Sequence, residues 1–211
     1  MRVELKQVKP AEIESRSMEI IRSELKHPLA PENEAVILRA IHTTADFEYA
    51  DTLCFSEDVV AQALAAIRGG AAIVTDTTMA QAGINKRMLA KHGGSVRCFI
   101  GDEDVAETAR KNGTTRSIES MKKAATVVEG PVIFAIGNAP TALVQLYEMI
   151  REGAISPALV IGVPVGFVNV VQSKELIMQA GVPYIVARGR KGGSNVAAAI
   201  LNALIYMLGR E

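Results

Sequence analysis

Five short, nearly continuous apolar runs follow residue 70, and each is followed by a polar residue, a glycine or a proline. Runs of this length, bounded by turn-forming residues, are typical of buried strands. They cover residues 71–75, 96–100, 131–136, 158–163 and 182–187. Helical segments accompany them at residues 102–111, 115–125, 140–152, 173–180 and 194–207. This alternation predicts an α/β protein, a single three-layer α/β/α domain over residues 1–211 with a mostly parallel sheet of about five strands.

Additional helices are predicted before the first strand. The first covers residues 10–25, and the second begins at Pro31, because proline suits the first position of a helix. The third is predicted to run from Ser56, as its N-cap, to the glycine pair at residues 69–70. The domain therefore carries extra helices at its N-terminus.

Two polar residues on the first helix are candidate ligand contacts. Helical spacing predicts that one face of this helix turns inward, with Ile13, Ile20 and Ile21 on it. Ser17 falls on the same face, and a buried hydroxyl needs a partner, either the carbonyl one turn back or a ligand. Arg16, beside it, is a candidate anion contact.

Arg39 and His42 form a second candidate pair, late in the second helix. They are three residues apart, so their side chains project from neighbouring points of one face. His42 is expected at the edge of the apolar stripe, where partial desolvation makes its charge sensitive to its neighbours. Spacing alone favours a core histidine satisfied by one hydrogen bond, and an acid/base role is the alternative.

In open parallel sheets, ligands bind beyond the carboxyl ends of the strands. Glycine and polar residues follow four of the predicted strands, at residues 76–78, 137–141, 164–169 and 188–190. Residues 137–141 lead directly into a helix, so free amides there would suit a carboxylate or a phosphate. Taken alone, this segment is better explained as an ordinary strand-to-helix turn with Asn138 as the cap.

Composition and the absence of known motifs exclude several classes of function. Acidic and basic residues number 23 each, which predicts no broad cationic surface for nucleic acid. The two cysteines and three histidines are too scattered for a metal cluster, and dinucleotide, P-loop and nucleophile-elbow motifs are absent. We therefore expect a site that uses no metal and no cofactor. A charged N-terminus and the lack of a membrane-length apolar run predict a cytoplasmic protein that does not enter a membrane.

Several longer motifs, taken together and in order, resemble one known family, the precorrin-8X methylmutases. The resemblance extends over nearly the whole chain. The motifs are RS at residues 16–17, RAIH at 39–42, NGTTRS at 112–117, IGNAPTAL at 136–143, GVPVGFV at 162–168, SK at 173–174 and RGRKGGS at 188–194.

The resemblance implies an isomerase of corrinoid biosynthesis, which moves a methyl group from C11 to C12 of precorrin-8X or cobalt-precorrin-8. It also implies a three-layer α/β/α fold and a homodimer. His42 matches the acid/base histidine of the family, and Ser17 and Arg39 match its substrate-contacting residues. The other expected substrate contacts are Arg16, Arg116 and Asn138.

The residue types are compatible with that reaction. A histidine near its own pKa can give a proton to a ring nitrogen and retake it. Arginines can hold the carboxylate arms of a tetrapyrrole in bidentate pairs. Two other classes of protein remain open: a carrier that binds the tetrapyrrole without isomerising it, and a nucleotide- or sugar-phosphate-binding protein that uses residues 137–141 for phosphate.

Overall fold

Aliphatic residues, many of them β-branched, form the strands because they pack well on a pleated surface. A computed structural model describes residues 9–209, and its strands are β1 Leu53–Phe55, β2 Ala72–Thr75, β3 Ser95–Arg97, β4 Val132–Ile136, β5 Leu159–Gly162 and β6 Tyr184–Ala187. They form one sheet in the order β1-β6-β5-β4-β2-β3. Every pairing is parallel except that of β1 with β6, which confirms the mostly parallel sheet.

The helices of the described residues are α1 Ile13–Glu24, α2 Pro31–Thr44, α3 Tyr49–Thr52, α4 Val59–Arg68, α5 Thr78–Gly83, α6 Lys86–Ala90, α7 Glu103–Asn112, α8 Arg116–Val127, α9 Pro140–Arg151, α10 Val170–Met178 and α11 Ser194–Leu208. A short 3-10 turn, Pro10–Glu12, precedes α1. Pro31 occupies the first turn of α2, as predicted. Within residues 9–209, no helix combines the length and the apolar character needed to cross a bilayer.

Alternation along the strands divides the core into two layers. In β4, Ile133 and Ala135 join a cluster with residues of α2, α4 and α11, whereas Phe134 and Ile136 join a cluster with residues of α8, α9 and α10. Successive strand residues point to opposite faces, so both faces of the sheet are covered by helices. This arrangement confirms the predicted three-layer α/β/α fold.

The sheet differs from the prediction at its two edges. The sixth strand, β1, has only three residues, a run too short for periodicity to identify as a strand. The strand expected over residues 96–100 is instead Ser95–Arg97. It is an edge strand that pairs with β2 over these three residues, and it ends before Phe99. The short helices α3, α5 and α6 were also not predicted.

The inward face predicted for α1 is only partly correct. Ile21 is buried, but Ile13 and Ile20 are 53% and 44% exposed. Periodicity locates an apolar stripe without saying what covers it, and here only the face carrying Met18 and Ile21 meets the core.

Ser56 does not cap a helix. Its hydroxyl accepts a hydrogen bond from the backbone N–H of Tyr184 at 3.0 Å, which joins the end of β1 to β6. Helix α4 begins three residues later, after Asp58 in the left-handed region at φ 52°. The hydroxyl is therefore committed to the sheet edge and not to the first turn of a helix.

Gly137 permits the closest approach between β4 and the start of α11. A Cβ atom built there would lie 2.6 Å from the Ser194 Cα and 2.8 Å from the Ser194 backbone nitrogen. We expect Gly137→Ala to lower the free energy of unfolding by about 1–3 kcal/mol, because the crowding involves backbone that cannot rotate away. Urea unfolding measures the change. Gly101→Ala is the matched control, since a Cβ there meets nothing within 4 Å; equal stability of the two variants would contradict the predicted crowding.

Candidate active site

A buried carboxylate organises the carboxyl edge of the sheet. Asp76, which follows β2 and is 1% exposed, accepts hydrogen bonds from the backbone N–H groups of Gly137, Asn138 and Ala139 at 2.9, 2.8 and 2.7 Å. Burial raises the pKa of Asp76, and the three amide donors oppose part of that shift. The turn after β4 is thus held by a side chain that follows the neighbouring strand.

These hydrogen bonds correct the expectation of free amides in residues 137–141. The N–H groups that would bind a phosphate or carboxylate are already bound to Asp76. A ligand anion could reach them only by displacing a buried carboxylate, which would leave that charge unpaired. The turn is therefore a structural device, and Asn138 contributes only an exposed side chain to any ligand site.

A second buried charge fixes the loop between β6 and α11. The ammonium of Lys174, fully buried on α10, donates hydrogen bonds to the carbonyls of Gly189 at 2.8 Å and Lys191 at 2.9 Å. Burial lowers the pKa of Lys174 to about 8. Sequence reasoning missed this role, although a signal was present: residues 170, 173, 174 and 177 share the buried face of α10, and a lysine on such a face needs acceptors.

The same loop is tied to the end of α2. The ammonium of Lys191 lies 2.6 Å from a carboxylate oxygen of Asp46 and 2.9 Å from one of Glu48. The hydrogen bond from Lys191 lowers the pKa of Asp46, and Asp46 in turn raises the pKa of Lys191. These contacts connect the segment that follows α2 with the carboxyl edge of the sheet.

His42 lies in the last turn of α2 and is exposed. Within residues 9–209 its imidazole makes no hydrogen bond or ion pair, so it is not a core histidine satisfied by a neighbour. The predicted partial desolvation is also wrong for this chain, because the apolar residues Leu38 and Ile41 turn toward the core while His42 points to solvent. An imidazole in this position is available to a ligand.

Arg39 lies one turn earlier, but its guanidinium is engaged inside the protein. It donates a hydrogen bond to Glu14 at 2.6 Å, lies 5.2 Å from the centre of the Tyr206 ring, and is only 14% exposed. It joins α2 to α1 and α11. Arg39 and His42 therefore differ in environment despite their helical spacing.

The two candidates on α1 have local partners. The Ser17 hydroxyl donates a hydrogen bond to the Ile13 carbonyl at 2.8 Å, which is the carbonyl one turn back. Arg16 pairs with Glu19 at 2.8 Å on an exposed surface. No contact described for residues 9–209 links Arg16 or Ser17 to the carboxyl edge of the sheet.

Arg116 and Asn138, by contrast, lie near the starts of two helices that are joined to each other. Arg116 is the first residue of α8, directly after the cap Thr115, and it is exposed without a partner among residues 9–209. The hydroxyls of Thr115 and Thr141 are 3.2 Å apart, which joins the starts of α8 and α9. Arg116 therefore begins a helix whose N-terminus is joined to that of α9, and α9 starts two residues after Asn138. Across residues 9–209, no group of three or more His, Cys, Asp or Glu side chains is placed to hold a metal ion.

Comparison with known proteins places this fold and its motifs in one family. The sequence profile described as precorrin-8X methylmutase matches residues 12–207. The chain belongs to the precorrin-8X methylmutase family. Methylmutases are isomerases, so the chain is an enzyme of this class.

Relatives and a solved structure agree with the family match. The cobalt-precorrin-8 methylmutase of Priestia megaterium is 47% identical over 93% of this chain and 88% of its own length. The precorrin-8X methylmutase of a Sinorhizobium species is 40% identical over 91% of this chain and 92% of its own length. The crystal structure of the Thermus thermophilus precorrin-8X methylmutase superposes with a TM-score of 0.85 at 40% identity, covering 94% of this chain and 98% of that one.

The Asp76 hydrogen bonds should be essential for stability in this methylmutase-family chain. Asp76→Ala leaves three amides without their acceptor, and we expect it to lower the free energy of unfolding by roughly 3 kcal/mol or more. Asp76→Asn keeps one acceptor oxygen, so its loss should be smaller. Denaturant unfolding of both variants tests the ranking. An Asp76→Ala protein as stable as the wild type would show that the amides find other partners.

Lys174 should leave a signature in the pH dependence of stability. Its pKa is about 8 in the folded chain against 10.5 ordinarily, so between these values the unfolded chain binds more protons at this residue. Stability should therefore rise with pH across that window, by up to about 1.4 kcal/mol per pH unit, relative to Lys174→Met. Unfolding of both proteins from pH 7 upward provides the difference. A difference that is flat or falls with pH would contradict the buried ammonium.

Proposed function

We propose that this chain moves a methyl group from C11 to C12 of precorrin-8X or its cobalt-containing form, with His42 as general acid and base. The observation that carries the assignment is the exposed imidazole of His42, unpartnered within residues 9–209, in a chain of the methylmutase family. Relatives with both substrate names resemble the chain, which supports a tetrapyrrole of either kind.

The proposed reaction needs neither an electron donor nor a group donor. The methyl group breaks its bond to C11 and forms a bond to C12 of the same molecule. A proton placed on a ring nitrogen makes the π-system more electron-poor and eases the migration. The imidazolium of His42 gives this proton, and the neutral imidazole retakes it after the shift, so that protons balance over the cycle.

Substrate carboxylates gain most from cations that are not already paired. Arg116 is exposed and unpartnered within residues 9–209, and its helix start is joined through Thr115 and Thr141 to the start of α9, which follows the exposed Asn138. We assign both to the binding of a carboxylate arm, Arg116 through a charged hydrogen bond and Asn138 through its amide.

We also propose Ser17, Arg16 and Arg39 as substrate contacts, although each of them already has a partner within the protein. The Ser17 hydroxyl donates to a carbonyl and retains lone pairs that can accept a bond from the substrate. Arg16 and Arg39 must share their charge with Glu19 and Glu14. Arg39 also supports the packing of α1 and α11, so its removal would change stability as well as binding.

We further propose a homodimer, as the family resemblance implies, and a cytoplasmic location for this biosynthetic enzyme. The exposed side chains of Ile13 and Ile20 support association, because a second copy would remove this apolar area from water. Sedimentation of the purified protein measures the assembly.

The two other classes of protein make different predictions in one assay. A nucleotide- or sugar-phosphate-binding protein loses its main support, since the amides of the 137–141 turn are bound to Asp76. An absorbance scan with precorrin-8X separates the remaining classes. The enzyme changes the chromophore over time, a carrier binds it without conversion, and a phosphate-binding protein leaves the spectrum unaltered.

His42→Asn tests the acid/base assignment directly. Asparagine keeps hydrogen-bonding capacity at similar size but cannot transfer the proton, so we expect single-turnover isomerisation to slow by roughly 10²- to 10⁴-fold. Substrate affinity should largely survive, because the lost interaction matters mainly in the transition state.

The matched control is His92→Asn, a half-buried histidine in the turn before β3, at the opposite edge of the sheet. It should isomerise at the wild-type rate. Conversion by His42→Asn within a few-fold of the wild type, at saturating substrate, would show that His42 only binds or supports structure.

A further inference from the structure

The loop between β5 and α10 exposes apolar side chains to an unusual degree. Val165, Phe167 and Val168 are 50%, 83% and 77% exposed, although they follow a fully buried strand. Single exposed apolar residues are ordinary, but three within four positions form a patch, and such patches commonly mark a contact surface. The patch lies at the carboxyl edge of the sheet, where open α/β sheets bind ligands.

A cation without an acidic partner completes this patch. The guanidinium carbon of Arg190 lies 5.4 Å from the centre of the Phe167 ring, within the range of a cation–π contact. The neighbouring cations are paired, Arg188 with Glu175 at 3.2 Å and Lys191 with Asp46. Within residues 9–209, Arg190 has no carboxylate partner. Stacking on the ring uses one face of the guanidinium and leaves its N–H edge available for an anion.

The two loops that carry these side chains are fixed against each other. The Gly166 N–H donates to the Arg190 carbonyl at 3.1 Å, and the Gly193 N–H donates to the Val163 carbonyl at 2.8 Å. Lys174 holds the carbonyls on either side of Arg190. The apolar patch and the cation therefore keep their spacing before any ligand arrives, which lowers the entropy cost of binding.

We infer that Val165, Phe167, Val168 and Arg190 form a contact site for the tetrapyrrole, with the apolar side chains against the ring and Arg190 paired with a carboxylate arm. This inference rests on the proposed function, because that function supplies a ligand that is both apolar and anionic. Charge favours this occupant over a second copy of the chain. A two-fold contact through the patch would bring two unpaired Arg190 guanidinium groups toward each other, whereas the arms of the tetrapyrrole neutralise one.

The test measures equilibrium binding of cobyrinate, a corrin with free carboxylates, to the full chain and its variants. Arg190→Ala should weaken binding by about 10-fold or more, the scale of a lost charged hydrogen bond. Phe167→Ala should weaken it by roughly 3- to 10-fold. The matched controls are Arg151→Ala and Val127→Ala, exposed residues at the ends of α9 and α8 on the opposite edge of the sheet, and they should bind as the wild type does.

A ligand with every carboxylate methyl-esterified separates the two contributions. Arg190→Ala should bind this ester as tightly as the wild type, because the anion is gone, whereas Phe167→Ala should still bind it more weakly. Wild-type affinity of both variants for cobyrinate would overturn the inference, and so would an Arg190 effect that persists with the ester. Sedimentation in parallel must show unchanged assembly; a loss of binding that accompanies dissociation would assign the patch to a contact between copies and overturn it.

Turnover by the wild type distinguishes failure of this site from failure of the proposed function. If the wild type isomerises precorrin-8X while both variants bind cobyrinate normally, only the contact site is wrong. If the wild type neither binds cobyrinate nor changes the chromophore, the proposed function fails and the contact site fails with it.

Discussion

The carboxyl edge of the sheet depends on the hydrogen bonds of one buried carboxylate. Asp76 satisfies three consecutive backbone amides, and it thereby joins the end of β2 to the turn before α9. Once this turn is fixed, Gly137 meets the backbone of Ser194, so the start of α11 is placed by the same contact. A single acceptor thus sets the positions of three elements around the candidate site.

Lys174 performs the complementary task on the neighbouring loop. Asp76 accepts hydrogen bonds from backbone amides, whereas Lys174 donates hydrogen bonds to the carbonyls of Gly189 and Lys191. Within residues 9–209, neither buried charge has a counter-ion within bonding distance, and the hydrogen bonds of each are made to backbone groups. Both charges are already bound to the backbone. They fix the loops that a ligand can approach, but neither charge is itself available to bind the ligand.

Local periodicity was enough to predict the four interior strands and the two helical layers, since both follow from which residues alternate or recur. It could not identify the partner of the 137–139 amides, because Asp76 lies more than 60 residues earlier in the chain. It placed Ile20 on an apolar stripe but could not say that the stripe extends beyond the core. It also could not show that His42 turns to solvent, which depends on how α2 rotates against α11.

Whether a basic side chain already has an internal partner decides how much it contributes to binding an anionic substrate. The family motifs contain several basic residues, but Lys191, Arg188 and Arg39 already have carboxylate partners. Exchanging such a partner for a substrate carboxylate replaces one ion pair by another and leaves a side-chain anion to be solvated, so the net gain is small. A cation without a partner gains the whole new interaction. Arg116 and Arg190 are in that position within residues 9–209, and for this reason charge balance identifies binding arginines better than their number in a motif does.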